Sequence, residues 1–278
     1  MNKLISIDLF ADFGMLKKPD TNEPVYLTFN MLHKPALLGV LGAIIGLEGF
    51  KEKGKLPEYY EKLKDLKIGI QPLRHENGNF QKSTVKYNNA TGLANQAEEK
   101  VFDWETGKFK NKKIGATLNI IEQFLIAPAF RCFLLLDTDN ELHKKIDKNL
   151  KNNYAEYLPY LGKNEFSMWW EEYKEYNFKE FEPQTTFKIN SIYIKDQPLK
   201  DNKDADALLN YDPIFDDKLE GYTFSYFERL PVEYQDLGAN NFQYKYQNFA
   251  FTDWGLKPKH KTTNQLLNVN NYGIIQVF

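Results

Sequence analysis

Strict alternation marks residues Leu4–Phe10, where Ile5, Ile7 and Leu9 fall on one side and Ser6 and Asp8 on the other. A period of two predicts a strand with one buried face. A polar loop follows from Ala11 to about Leu32 and carries Lys17-Lys18-Pro19-Asp20. The run Lys34-Pro-Ala-Leu-Leu-Gly-Val-Leu-Gly-Ala-Ile-Ile-Gly46 predicts a helix, with Pro35 in the first turn where a missing N–H costs nothing. Gly39, Gly42 and Gly46 recur at spacings of three and four and form one smooth stripe. A glycine inside a helix sacrifices about 1 kcal/mol relative to alanine, so a compensating close contact with a sheet or another backbone is expected there. Glu58–Leu66 reads as a short amphipathic helix, and Lys67–Leu73 as a strand ended by Pro72.

From Arg74 to about Thr117 core periodicity disappears, which marks a functional projection or a disordered insert. Within it Val101–Lys110 reads as a hairpin around Glu105–Gly107. Strand character returns at Leu118–Phe124 and Phe130–Leu136. Asp139–Leu150 then predicts a helix with Leu142, Ile146 and Leu150 on one face, capped by Asp137, Thr138 or Asp139. The order strand, helix, strand, insertion, strand, helix matches most of a ferredoxin-like βαββαβ unit, with a fourth strand due in Glu165–Phe181. Beyond Pro183 come strand-like runs at Thr186–Ile194, Tyr222–Leu230, Phe242–Phe251 and Tyr272–Phe278, interrupted by an acidic linker at Lys200–Asp217. The fold class is α+β: a modified ferredoxin-like domain over residues 1–165, with an insertion at about 74–117, and a β-rich region over 166–278.

Composition narrows the picture. The 278 residues carry a net charge of −2 and 15% aromatic side chains, with mean hydropathy −0.58, values of a globular protein. The single cysteine, Cys132, sits in an apolar run, excludes an internal disulfide and reads as a core residue. The first eight residues lack the apolar core of a secretory signal, and the apolar stretch Ala36–Leu47 is shorter than the roughly 20 residues that span a bilayer. A cytoplasmic protein without a membrane segment is expected. The charge is unevenly spread: Lys51–Leu118 holds 14 Lys/Arg against 9 Asp/Glu, whereas Glu165–Gly238 holds 8 against 17. Such asymmetry fits one face for an anion, or simply an uneven solvated surface.

A search for chemistry finds little. His33, His75, His143 and His260 show no metal-ligand spacing, and His143 reads as a surface residue. Nucleophile-elbow, P-loop and dinucleotide fingerprints are missing. Asp137/Asp139 and Asp216-Asp217 fit solvated turns. No catalytic residue, metal ion or cofactor is expected. What remains suits RNA: Lys17-Lys18, Lys34 at a helix amino end, and a basic projection in which Phe80, Tyr87, Phe102, Trp104 and Phe109 interleave the cations.

The helix Lys34–Gly46, placed after a first strand and open loop, and the later Tyr157-Leu-Pro-Tyr-Leu-Gly-Lys-Asn-Glu-Phe166 together resemble a known family. They are similar to the Cas-five subunit of type I CRISPR interference complexes (Cascade), of the type I-B branch, in the repeat-associated mysterious protein (RAMP) superfamily. The two motifs anchor roughly residues 1–170. The resemblance implies a thumb-like β-hairpin, supplied by residues 74–117, and a non-catalytic subunit that grips the 5′ handle of the CRISPR RNA and caps the backbone filament. It implies as partners the Cas-seven backbone subunit, the Cas-eight large subunit and, through the complex, target DNA. On that basis Lys17, Lys18, Lys34, Arg74, Lys82, Lys86 and Lys163 are expected to contact RNA, while Arg131 fits either face of its strand. Relatives in the type I-C branch cut precursor RNA with Tyr, Lys and His residues. A metal-independent endoribonuclease using His33, His75 or a nearby Tyr therefore stays open, as does a β-rich interaction protein.

Overall fold

The computed structural model describes residues 2–21, 25–89, 98–113, 118–195, 224–256 and 265–278. The chain is mixed α/β, mostly strand with few helices. In chain order it runs β1 (Asn2–Ala11), the short β2 (Phe13–Gly14), β3 (Leu16–Lys17) and β4 (Thr28–Phe29), α1 (Lys34–Ile45) and α2 (Glu58–Leu63). Then come β5 (Lys67–Leu73), β6 (Lys82–Asn89), β7 (Glu98–Asp103), β8 (Lys108–Lys113), β9 (Leu118–Ile126), β10 (Ala129–Asp137) and α3 (Glu141–Lys151). The remainder is strand: β11 (Met168–Tyr176), β12 (Phe178–Glu180), β13 (Tyr193–Ile194), β14 (Ser225–Asp236), β15 (Phe242–Thr252), β16 (Gln265–Val269) and β17 (Gly273–Val277).

The central sheet has the order β11-β1-β10-β5, and each neighbouring pair is antiparallel. Its fourth strand, β11, lies past residue 165, so the expected division at 165 falls before the strand that completes the sheet. Ile5, Ile7 and Leu9 pack with α1, α2 and α3 in the main core, as the alternation predicts. The opposite face is not open to water. Leu4, Phe133 and Leu135 pack against Leu267, Val269, Ile275 and Val277 of β16 and β17, so β1 is buried on both faces. Ser6 and Asp8 are therefore buried polar groups and need partners. Ser6 shares a hydrogen bond with the Tyr176 hydroxyl at 3.1 Å. Asp8 lies directly opposite Arg131 in the β1/β10 register and accepts two bonds from its guanidinium, each at 2.7 Å. That settles the side of Arg131, and the carboxylate raises its pKa above the usual arginine range despite the opposing effect of burial.

Several local expectations are revised. Pro72 does not end β5 but pairs with Phe130 inside it, tolerated because β5 is the sheet's edge. The rest of that edge is closed by Ile192 N–H to the Ile70 carbonyl and by mutual bonds between Ile68 and Phe278. α3 starts later than predicted: its cap is Asn140, whose side chain accepts from the backbone N–H groups of Leu142 and His143. Within 74–117 the described part holds a turn at 74–81, then β6, which pairs antiparallel with the following β9 as a ribbon, and β7 and β8, a hairpin around 104–107. Strand structure in 186–194 is confined to β13, while β12 and β16 carry no sequence signal. The acidic stretch Lys200–Asp217 and His260 lie outside the described residues. Cys132 is fully buried in the core.

Candidate nucleic-acid interface

α1 is stopped and started by side chains and turns rather than left open. At its amino end the His33 Nδ1 accepts the Ala36 N–H at 3.3 Å, and Pro35 has no N–H to offer. Burial holds His33 neutral, with a pKa near 3. Lys34 donates to the Phe278 carbonyl at 3.0 Å, and burial lowers its pKa to about 8. Both facts overturn the expectation that Lys34 and this helix end face phosphates, because their polar groups are spent inside the protein. The glycine stripe is corrected as well. Its neighbour is α2: an added Cβ at Gly42 would sit 2.4 Å from the Tyr59 Cβ, and one at Gly39 3.6 Å from the Tyr59 ring. Gly46 is no interior residue but the left-handed cap at φ 78°.

The second motif closes onto the carboxyl end of α1. Backbone N–H groups of Glu156 and Tyr157 donate to the carbonyls of Ile44 and Ala43 at 3.1 and 3.0 Å. Five residues after Tyr157, Gly162 at φ 88° lets the chain pass so close to Met15 that a Cβ would overlap its carbonyl oxygen at 1.7 Å, while Met15 N–H donates to the Leu161 carbonyl at 3.0 Å. Between these segments runs a groove of about 580 Å³, lined by Tyr59, Tyr157, Leu158, Tyr160 and Tyr244, with Leu158 91% exposed.

On the other side of the Met15 junction lies a second cleft, of about 450 Å³, at the root of the β6/β9 ribbon. Phe13, Phe124 and Phe166 meet there with ring centroids 5.3–5.9 Å apart. Val85 and Tyr87 of β6 share a ribbon face with Glu122 and Phe124 of β9. The Tyr87 hydroxyl donates to Glu122 Oε2 at 2.9 Å, and the Lys163 ammonium donates to the same oxygen at 2.6 Å. Lys163 also reaches Glu165 at 3.0 Å and the Tyr87 hydroxyl at 3.4 Å. Burial works against its charge, but these partners outweigh that and raise its pKa. Lys163 is thus held by two carboxylates at the edge of the cleft.

Lys82 and Lys86 project from the opposite face of β6, with Thr84 between them. Burial, and then the nearby Lys18 charge, lower the pKa of Lys82 against the opposing effect of Glu228, and Lys18 lies 3.8 Å from that same carboxylate. Glu228 is otherwise occupied by the backbone N–H groups of Asn30 and Met31, each at 3.0 Å. Lys17 lies over the Tyr26 ring at 3.9 Å, beside β9. Five of the seven expected cations therefore gather around the ribbon, Lys17, Lys18, Lys82 and Lys86 together with the ion-paired Lys163 at its root. Arg74 does not join them: it stacks over Phe10, which in turn packs on Trp169. At the far hairpin Phe102 contacts Trp104 and Phe109, at 5.0 and 5.2 Å, and Trp104 is 89% exposed.

Sequence reasoning missed Glu122, Phe13, Phe124 and Phe166. The alternation in Leu118–Phe124 does place Glu122 and Phe124 on one strand face, but nothing local says what opposes them. Among the described residues no three His, Cys, Asp or Glu side chains cluster as a metal site would require. No helix among them is long and apolar enough to cross a membrane.

Similar solved structures are CRISPR-associated proteins. A chain of a CRISPR RNA-guided surveillance complex aligns with a TM-score of 0.47 at 12% identity, over 91% of this chain and 90% of that one. A CRISPR protein from Archaeoglobus fulgidus aligns with a TM-score of 0.46 at 13% identity, over 100% and 98%. A chain of the Type III-B Cmr-beta complex bound to cognate target RNA and AMPPnP aligns with a TM-score of 0.44 at 11% identity, over 92% and 86%. No family model matches the chain, and no curated protein does.

Proposed function

We propose that this chain is a non-catalytic, RNA-binding subunit of a CRISPR effector complex, of the Cas-five kind and the type I-B branch. It grips the 5′ handle of the CRISPR RNA, caps the backbone filament, and contacts the Cas-seven and Cas-eight subunits and, through the complex, target DNA. The observation that carries this reading is the convergence of the two resemblance motifs. The helix Lys34–Gly46 is capped by the backbone of Glu156 and Tyr157, and the same loop docks through Gly162 at the base of a cation-bearing ribbon. The strand order β11-β1-β10-β5, interleaved with α1 and α3, is the arrangement expected of a ferredoxin-like βαββαβ unit, and the β6–β9 projection is a thumb. Support for binding rather than cleavage comes from the histidines. His33 spends Nδ1 on α1 and is held neutral by burial, and His75 Nδ1 accepts the Gly78 N–H at 2.9 Å.

The test is co-purification with the neighbouring genes and a CRISPR array, followed by sequencing of bound RNA. RNAs with one repeat-derived 5′ end, together with other effector subunits, are the expected result. Protein without RNA overturns the reading, and cleavage of repeat RNA in EDTA points to the endoribonuclease instead. Reversing Lys82 and Lys86 to Glu should weaken binding and flatten its salt slope by about 1.4, at roughly 0.7 per phosphate contact on single strands. Lys148→Glu on α3 is the charge control for each of Lys82→Glu and Lys86→Glu taken singly.

A further inference from the structure

We infer that the cleft at the ribbon root receives one unpaired nucleobase and selects a base bearing an exocyclic amino group, read by Glu122. The inference rests on the RNA-binding function proposed above and adds to it a position and a specificity. Three features of the cleft lead there.

Its walls are flat, apolar and open. Phe13 and Val85 are 43% and 42% exposed, although both belong to a cleft that already gathers Phe124, Phe166 and Tyr87. Recognition of single-stranded RNA works by splaying bases onto such rings and hydrogen-bonding their edges.

Its polar group is oriented and half-used. Both side-chain bonds to Glu122 end on Oε2, from Tyr87 and Lys163, while Oε1 has no protein partner among the described residues. The Lys163 ammonium has three protons and three partners, Glu122, Glu165 and Tyr87, and the Tyr87 hydroxyl proton goes to Glu122. The cleft therefore presents a fixed acceptor and no spare donor from this triad. An acceptor pairs with the exocyclic amino group of cytosine, adenine or guanine, and cytosine and adenine serve as the test bases against uracil. Uracil fits poorly, because its one N–H is flanked by two carbonyls that the carboxylate repels. An apolar peptide side chain would fit the rings but bury Oε1 without a partner, which is costly.

Its surroundings suit a strand of RNA. β6 is an edge strand of the β2-β9-β6 sheet. A chain crossing that edge can leave its phosphates with Lys82 and Lys86 on one face while a base turns into the cleft on the other.

The experiment measures binding of the full-length protein to single-stranded oligo(C), oligo(A) and oligo(U) by fluorescence anisotropy across a salt series. Wild type should prefer oligo(C) and oligo(A) over oligo(U) by about tenfold, the worth of one hydrogen bond to a charged acceptor. Glu122→Gln supplies a donor as well as an acceptor, so the preference should collapse, while the salt slope should not fall, because the change removes no cation and loosens the hold on Lys163. Phe13→Ala, which removes a half-exposed wall ring, should also erase the preference, with circular dichroism to check that the fold is kept. If no oligomer binds, the RNA-binding function fails. If all bind with a clear salt slope but neither variant alters the base preference, the nucleobase assignment is overturned while RNA binding stands. A cross-link from the cleft to another protein subunit instead of RNA overturns it too.

Discussion

Two glycines one turn apart on α1 should respond to alanine with opposite signs. At Gly39 a new methyl would rest 3.6–3.7 Å from the Tyr59 ring, an ordinary contact. Relief of the glycine cost in a helix then dominates, and Gly39→Ala should stabilise by about 0.5–1 kcal/mol. At Gly42 the methyl would lie 2.4 Å from the Tyr59 Cβ and 3.1 Å from its Cγ. Carbon atoms settle at roughly 3.5–4.0 Å, and a Cβ cannot rotate away, so α2 has to retreat by about 1 Å or more. Overpacking of that kind costs about 1–3 kcal/mol, against a propensity gain of about 1 kcal/mol. Gly42→Ala should therefore destabilise by up to about 2 kcal/mol. At roughly 2–4 °C per kcal/mol for a large domain, the two variants should melt up to about 12 °C apart, on either side of wild type. Thermal and urea unfolding of the purified chain, followed by circular dichroism, would measure this. Equal shifts, or a stabilised Gly42→Ala, would refute the idea that Tyr59 is what the glycine stripe accommodates.

Arg131→Met strands the Asp8 carboxylate at 4% exposure and should cost about 3–5 kcal/mol in urea unfolding, whereas the double change with Asp8→Leu should recover much of the loss. His33 predicts a pH effect. Its folded pKa lies near 3 against an unfolded value of about 6.5, so the unfolded chain binds the extra proton in that window. Stability should fall as pH drops below 6.5, by up to about 1.4 kcal/mol per unit from this group. His33→Asn keeps a capping oxygen and should flatten the slope between pH 6.5 and 5; an unchanged slope in urea midpoints would count against the assignment.

What was legible depended on distance along the chain. Alternation at Ile5, Ile7 and Leu9 and the apolar face of Ile146 and Leu150 predicted which sides of β1 and α3 are buried, because side-chain direction is a local property of strand and helix. The hairpin around 104–107 was equally local. The wet-looking side of β1 misled, since Ser6 and Asp8 are covered by strands from residues 265–277, and no local pattern reports a second layer. Lys34 looked like a phosphate ligand until Phe278, 244 residues away, supplied its acceptor. Lys163 looked like a free cation until Glu122, 41 residues away, took it.

The candidate site shows the same division. The sequence by itself determined β1, α1, β10 and α3, the basic character of the projection and a glycine at 42 that needs a close neighbour. Only the tertiary structure decided which neighbours those are, which cations remain available, and that Phe13, Phe124 and Phe166 form one cleft around a single oriented carboxylate. The physical reason is that periodicity encodes which face an element hides. Charge pairing and shape across a gap depend on what packing brings to the other side.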